Sequence, residues 1–448
     1  MNRNIKRKSA LSVGGALLAL VLCGSARADV VTEWNQRAQQ ALLTANTSAP
    51  ASSRALAIVQ VAVFDAVNGI ERRYTPIHVD FEAPPGASRR AAAVQAAYAT
   101  LVKLFPSQQA TLAAARESSL AAIASDDAAE NSQSIARGVE WGQQVADDIL
   151  LWRSTDGFTP APPPFFGGTN VGQWRPTPPG FLPGAGVQFA HMTPWALNSP
   201  AQFRPSGPPA LTSDQYAADF AEVKMIGDKF SSTRNADQTE IAFFWTSNTP
   251  VAWNRIANSV ADERHTTLSG NARLLALLNV AMADAVISCW EAKYTDVFWR
   301  PITAIRLAST DGNPATAEDA NWTPLLTTPN FPEYPSGHAT VSPAAATVLS
   351  TYFGNDAEFT LTSETLPGVV RAYTSFTQAV DEAFDARIYG GIHFRAACRD
   401  GRTLGTQVGN FVTANVARSV RGKRKGQTSH DHPRGEIGGD GESPGDNR

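Results

Sequence analysis

Apolar residues recur at helical spacing along most of this chain. Between Ser52 and Arg73, for example, Leu56, Val59, Val63, Val67 and Ile70 fall three or four positions apart, which lines one face of a helix. The same pattern predicts helices over Glu33–Thr47, Ala91–Phe105, Gln108–Ser125, Glu130–Trp152, Ser213–Asp228, Ala236–Trp245, Trp253–Glu263, Ala272–Lys293, Ser336–Phe353, Pro367–Phe384 and Arg402–Asn415. Ser213 is a ready N-cap. Alternating runs of β-branched residues are few, so sheet content should be small. The expected fold is all-α, two four-helix bundles of similar size.

Residues 156–210 interrupt the periodicity and hold 13 of the chain's 29 prolines. They also hold Phe165, Phe166, Trp174, Phe181, Phe189, Trp195 and Phe203. A solvated linker carries few aromatics, so a long ordered loop packed on the helical body is expected, lining a cleft mouth. From about Arg418 the chain turns polar and Gly-rich, the composition of a disordered tail (418–448). His430 and His432 fall there and read as solvated rather than metal-binding.

The first 28 residues read as a processing segment. Arg3, Lys6, Arg7 and Lys8 precede an apolar run from Leu11 to Cys23, and Ser25-Ala26-Arg27-Ala28 supplies small residues for a cut after Ala28. This is the pattern of a secretory signal peptide, so the protein is expected to be exported, periplasmic or secreted. An uncleaved anchor is the alternative. The expected mature chain has one all-α domain over 29–417, with its active site in 270–417. It carries 33 basic and 41 acidic residues, a formal charge of −8, once five basic residues leave with the leader. That balance disfavours nucleic acid and anionic lipid as partners, and no stable membrane insertion is expected. Two cysteines remain, Cys289 and Cys398, as one bridge or two buried thiols. No Cys/His spacing suits zinc.

Three segments in the C-terminal half concentrate the chemistry. They are Lys293-(six residues)-Arg300-Pro301, Pro335-Ser336-Gly337-His338 and Arg387-(five residues)-His393. Ser336 and Gly337 open a helix, where free N–H groups and the positive dipole end welcome an oxyanion. Arginine offers a fork for two oxygens and lysine a point charge. Lys293 and Arg300 lie two turns apart if their helix continues, or face one pocket if it ends near Asp296, as Pro301 suggests. Gly390-Gly391 permits a sharp turn or a close approach beside His393, and Arg395 adds positive field. Each segment alone has an ordinary alternative: solvated cations, a Pro-Ser-Gly turn, a core histidine. Together they predict a pocket around a tetrahedral oxyanion.

The arrangement resembles the vanadium-dependent haloperoxidase and type 2 phosphatidic acid phosphatase superfamily, in its bacterial haloperoxidase-like branch. The motif region from Trp290 to about Asp400 carries the resemblance. Ala62-Val63-Phe64-Asp65-Ala66-Val67-Asn68 and Arg234-Asn235-Ala236-Asp237-Gln238-Thr239 add less specific likeness. The resemblance implies that Lys293, Arg300, Ser336, Gly337 and Arg387 hold the oxygens of vanadate or phosphate. It makes His393 the vanadium ligand or the nucleophile toward phosphorus, and His338 the acid–base residue. Lys293 would polarise peroxide, and Trp290 and Phe331 would border a halide. The implied partners are hydrogen peroxide and halide, or a phosphate monoester; no oligomeric state follows. Length favours the haloperoxidase side, since about 260 residues lie between the expected cut after Ala28 and Lys293. The third motif departs from the family pattern at two places. Ala386 stands where the family has serine, and Ala397 where it has an aspartate that orients the histidine. Asp400, one turn on, is the candidate substitute.

Overall fold

The computed structural model describes residues 29–126 and 130–420. The expected leader (1–28) and the part of the expected tail beyond residue 420 lie outside the described residues. The chain stays paired later than the composition suggested. The Arg418 N–H donates to Thr75 Oγ1 at 3.0 Å, and Val420 N–H to the Arg73 carbonyl at 3.1 Å.

Thirteen α-helices form the described body: α1 (Val30–Thr44), α2 (Ala49–Glu71), α3 (Arg89–Leu104), α4 (Gln109–Ser125), α5 (Ser132–Arg153), α6 (Asp214–Ile226), α7 (Ala236–Phe244), α8 (Thr249–Glu263), α9 (Leu268–Asp296), α10 (Pro301–Arg306), α11 (Gly337–Phe353), α12 (Phe376–Tyr389) and α13 (Arg395–Asn415). The all-α reading holds. In the first bundle α2, α3 and α5 pack on one another, with α1 and α4 against α3. In the second, α11 packs on α9, α12 and α13. Contact between α2 and α9 joins the two, and one hydrophobic core runs through both. Both central helices are apolar and long enough to cross a membrane, yet 83% and 94% of their most apolar windows is buried inside the protein.

Two aspartates on these central helices fix the loops around them. Asp65 of α2 accepts the backbone N–H groups of Ile77, His78 and Val79 at 2.9–3.0 Å. Asp284 of α9 accepts those of Trp195, Ala196 and Leu197 at 2.7–3.0 Å. A buried carboxylate that receives three N–H groups satisfies itself and a whole turn of loop. The Ala62–Asn68 segment is therefore a structural clamp. Arg234–Thr239 is a capping device: Asn235 and Gln238 form a reciprocal capping box at the start of α7. The 156–210 segment packs as expected, with Trp174 and Phe189 buried against the helical body. It does not line the cleft that leads to the three anchor segments, though. It braces the other side of α9, where the Tyr294 hydroxyl donates to the Ala185 carbonyl at 2.7 Å.

Two expectations fail near the C-terminus. Pro367–Phe384 is not one helix: β1 (Phe359–Thr362) and β2 (Val370–Tyr373) pair antiparallel, and α12 starts only at Phe376. Phe359 stacks on Tyr373 and Phe376, so three aromatics hold the hairpin to the helix. Helix α13 begins at Arg395 rather than Arg402. The cause is tertiary: Asp219 of α6 accepts the Ala396 N–H at 2.8 Å, and Glu222 pairs with Arg395, placing acidic groups at the helix N-terminus.

Asp284→Ala should strand three buried N–H groups. The expected loss is about 3 kcal/mol or more, at roughly 1–3 kcal/mol for each unpaired group. It should show as a lower denaturant midpoint, with faster proteolysis within 156–210.

Candidate active site

Helix α9 ends one turn after Lys293. Val297 follows in the left-handed region at φ 49°, strained for a β-branched residue. Two contacts hold it there: its N–H donates to the Lys293 carbonyl, and its own carbonyl accepts from Trp174. The turn redirects the chain so that Arg300, just before Pro301 and α10, returns toward Lys293. Of the two geometries open from sequence, the broken helix is the one adopted.

Lys293 and Arg300 are wholly buried, and Arg387 nearly so, at 3% exposed. Backbone carbonyls hold each cation. Lys293 Nζ donates to Pro332 O at 2.9 Å and Glu333 O at 3.0 Å. Arg300 donates through Nε to Phe331 O at 2.9 Å and through Nη1 to Ile392 O at 2.8 Å. Arg387 donates from Nη1 to Trp245 O at 3.1 Å. Burial pulls the Lys293 ammonium down to about 8, with the Arg300 charge adding to the shift. It disfavours the charged forms of both arginines as well.

These contacts leave polar atoms to spare. Arg300 Nη2, Arg387 Nε, Ser336 Oγ and His338 Nε2 are buried without hydrogen-bond partners. Ser336 is the N-cap residue of α11, with Gly337 and His338 in its first turn. A Cβ at Gly337 would sit 3.3 Å from the Trp290 ring, a tight contact that glycine avoids. His338 is held by the Trp245 backbone, and burial and the Arg387 charge keep its imidazole well below its usual value, hence neutral.

His393 follows the turn after α12. Gly391, at φ +73°, is there because the Gly227 carbonyl lies where a side chain would go; the tight approach is between chain segments, not to a ligand. The His393 ring is buried. Its Nδ1 lies 2.9 Å from Glu333 Oε1 and its Nε2 3.1 Å from Arg300 Nη1. With Glu333 accepting at Nδ1, the tautomer places the Nε2 lone pair among the cations. Burial and the charges of Arg300, Lys293 and Arg387 hold this imidazole neutral too.

Glu333 is the residue that the sequence reading missed. It is wholly buried, and Oε1 also accepts the Phe394 N–H at 2.9 Å. Burial pushes its carboxyl up to about 8, against the pull of Arg300. Asp400 does not stand in for the absent aspartate: it accepts from the Tyr334 hydroxyl at 2.7 Å and from Arg399 at 2.9 Å. Ala397 instead contributes its carbonyl, which accepts the Ser336 N–H at 3.0 Å. The available signal was a lone acid inside the apolar run Phe331-Pro332-Glu333-Tyr334-Pro335. Trp245 acts through its carbonyl and left no signal. Arg395 points elsewhere, to Glu222 and Asp385. Cys289 and Cys398 are free buried thiols, so the bridge is not formed.

Trp290 and Phe331 form an aromatic wall, with ring centroids 5.2 Å apart. Lys293 Nζ lies 5.8 Å from the Trp290 ring and 5.1 Å from that of Phe331, which also faces Arg300 at 4.8 Å. The structure thus brings Lys293, Arg300, Ser336, Gly337, His338, Arg387 and His393 into one cluster, with Trp290 and Phe331 beside it. Three buried cations face a single buried carboxylate. Uncompensated buried charge is costly, and an oxyanion would neutralise it while pairing the orphaned donors of Arg300, Arg387 and Ser336. By donor type, number and charge the residues fit vanadate or phosphate.

The pattern of the VCPO second helical-bundle domain matches residues 273–422. The vanadium chloroperoxidase of Curvularia inaequalis is 31% identical over 182 residues, 29% of this chain and 29% of that protein's length. The match thus spans under a third of that relative. A solved bacterial vanadium-dependent iodoperoxidase superposes with a TM-score of 0.75 at 29% identity, over 86% of this chain and 96% of that one. A bacterial vanadium-dependent chloroperoxidase in its holo form shares the fold at 18% identity, with a TM-score of 0.64 over 82% and 91% of the chains.

Glu333→Ala should weaken binding of vanadate or phosphate by about 10–100-fold in calorimetry, the usual effect of losing a group that orients a ligand histidine. Glu333→Gln keeps an acceptor oxygen and should lose less. The charge on Lys293 gives a second expectation. Below about pH 8 the ammonium is charged and attracts an anion; above it the charge is lost. Affinity for sulfate, whose own charge is constant there, should fall as pH rises through that range. Lys293→Met should flatten the fall.

Proposed function

On the premise that this chain is a vanadium haloperoxidase-like protein, we propose that it is a vanadate-dependent haloperoxidase, converting halide, hydrogen peroxide and a proton to hypohalous acid and water. The observation that carries this reading is the group of orphaned buried donors around three cations, beside an aromatic wall. Lys293, Arg300, Ser336, Gly337 and Arg387 would hold the oxygens of vanadate, and His393 Nε2 would be its protein ligand. Bound vanadate would supply Lewis acidity toward peroxide. Neutral His338, with a free Nε2, is suited to take a proton from peroxide and return it to the departing oxygen. Glu333 keeps the His393 lone pair aimed at the anion. Lys293 would hold positive charge where negative charge develops on oxygen, and the burial of Lys293, Arg300 and Arg387 strengthens that effect. A halide is best placed at the Trp290–Phe331 wall, where the Lys293 charge reaches both rings.

Phosphomonoester hydrolysis is the second reading, and Glu333 favours it: a carboxylate on Nδ1 is what a nucleophilic His393 needs, with His338 protonating the leaving oxygen. We also propose export, with cleavage after Ala28, testable by N-terminal sequencing of the mature protein.

Two assays separate the readings. Vanadate-loaded protein should brominate a phenolic dye with peroxide and bromide. Vanadate-free protein should leave p-nitrophenyl phosphate essentially intact; efficient hydrolysis without bromination would reverse the order. His393→Ala should abolish vanadate binding and bromination together, and tight binding by that variant would remove His393 from its ligand role.

A further inference from the structure

One backbone unit serves two members of the anion cluster. Trp245 O accepts from Arg387 Nη1 at 3.1 Å, and the Trp245 backbone also hydrogen-bonds the His338 ring. Trp245 is the C-cap residue of α7, and the carbonyls at the end of a helix have no partner within it. Such ends fray. A carbonyl placed there orients a guanidinium only if something else fixes the residue that bears it.

The side chain of Trp245 does the fixing. Its ring is wholly buried, and Nε1–H donates to Glu382 Oε1 at 2.9 Å. The same oxygen accepts from Arg371 Nε at 2.8 Å and from the Tyr373 hydroxyl at 2.6 Å, both on β2. Arg371 reaches on to Asp237 and Glu240 in α7 itself. Three donors thus hold a mostly buried carboxylate in one place. Glu382 and Arg387 belong to one helix, α12. The contacts therefore close a ring: from α12 through Glu382 to the indole, along Trp245 to its carbonyl, and back through Arg387 to α12. Within that ring Arg387 Nη1 is engaged, while its Nε stays buried without a partner. Glu382, Arg371 and Tyr373 do not line the cleft.

We propose that Glu382 is a positioning residue for the oxyanion site, acting through the Trp245 indole to hold the carbonyl that aims Arg387 at its anion. This rests on the reading of Arg387 as a partner of vanadate or phosphate oxygens, and on neither reaction in particular. The β1–β2 hairpin thereby reaches the site without lining it, because β2 supplies two of the three donors that hold Glu382.

Calorimetric titration of orthovanadate, and separately of orthophosphate, into the full-chain protein tests the link. Trp245→Phe keeps a buried aromatic ring and removes the indole N–H, whereas Glu382→Ala removes its acceptor. Each should weaken binding by about tenfold, the lower end of what losing a group that orients a ligand costs. Glu382→Gln keeps an oxygen for the indole and should recover most of the loss. The double variant Trp245→Phe/Glu382→Ala should bind no more weakly than the weaker single one, because both changes break the same link. In an Arg387→Met protein, already weakened, Trp245→Phe should weaken binding no further. A general loosening of the fold would instead give additive losses that persist without Arg387. The denaturant midpoint checks folding, and if Trp245→Phe does not fold, the two Glu382 variants carry the comparison, alone and with Arg387→Met. Unchanged affinity in the folded variants, or losses that persist without Arg387, overturns the proposal. If Arg387→Met binds both anions as the wild type does, the reading of Arg387 itself fails and the proposal falls with it.

Discussion

Positive charge buried without an equal negative charge is the constraint that organises the C-terminal half of this protein. Lys293, Arg300 and Arg387 lie out of water, and the carboxylate among them, Glu333, is itself pushed toward its neutral form. The fold meets the constraint with carbonyl dipoles: those of Pro332 and Glu333 on Lys293, Phe331 and Ile392 on Arg300, and Trp245 on Arg387. The same bonds tie the loop before α11, the turn before α13 and the end of α7 to one point. What they leave over, a set of unpartnered donors, is the specification of a ligand.

The wider architecture keeps that point rigid. Helix α9 is the hub: it carries Trp290 and Lys293 near one end, Asp284 clamps the proline-rich loop to its flank, and α2 of the first bundle lies along it. The left-handed Val297 then swings Arg300 back toward the cluster. The first bundle is more than ballast, because the start of α2 forms one wall of the cleft. Apolar walls over a cationic floor separate two tasks within one cavity. The floor carries the positive charge, and the walls are mostly apolar.

Glu333 shows how one chemical requirement can be met from a different place in the chain. The His393 ring needs an acceptor at Nδ1 so that its other nitrogen faces the anion. No carboxylate is available at Ala397, and Asp400 is engaged with Tyr334 and Arg399. Glu333 reaches the ring from the opposite segment, while its own carbonyl orients Lys293. One residue thus couples the ammonium and the imidazole.

The helical periodicity and the three spaced motifs were legible in the sequence because they are local. Apolar spacing needs only the neighbouring turns, and Pro335-Ser336-Gly337-His338 carries its own helix start. Residues far apart in the chain left no such trace. The start of α13 depends on Asp219 and Glu222, the hairpin on Phe359 meeting Phe376, and the orientation of His393 on an acid 60 positions away. The sequence by itself determined that this protein is helical and which side chains could grip an oxyanion. Only the tertiary structure decided which carboxylate aims the histidine and which donors remain unpaired, because burial and long-range partners set a group's charge and direction, and neither is written in the spacing of a motif.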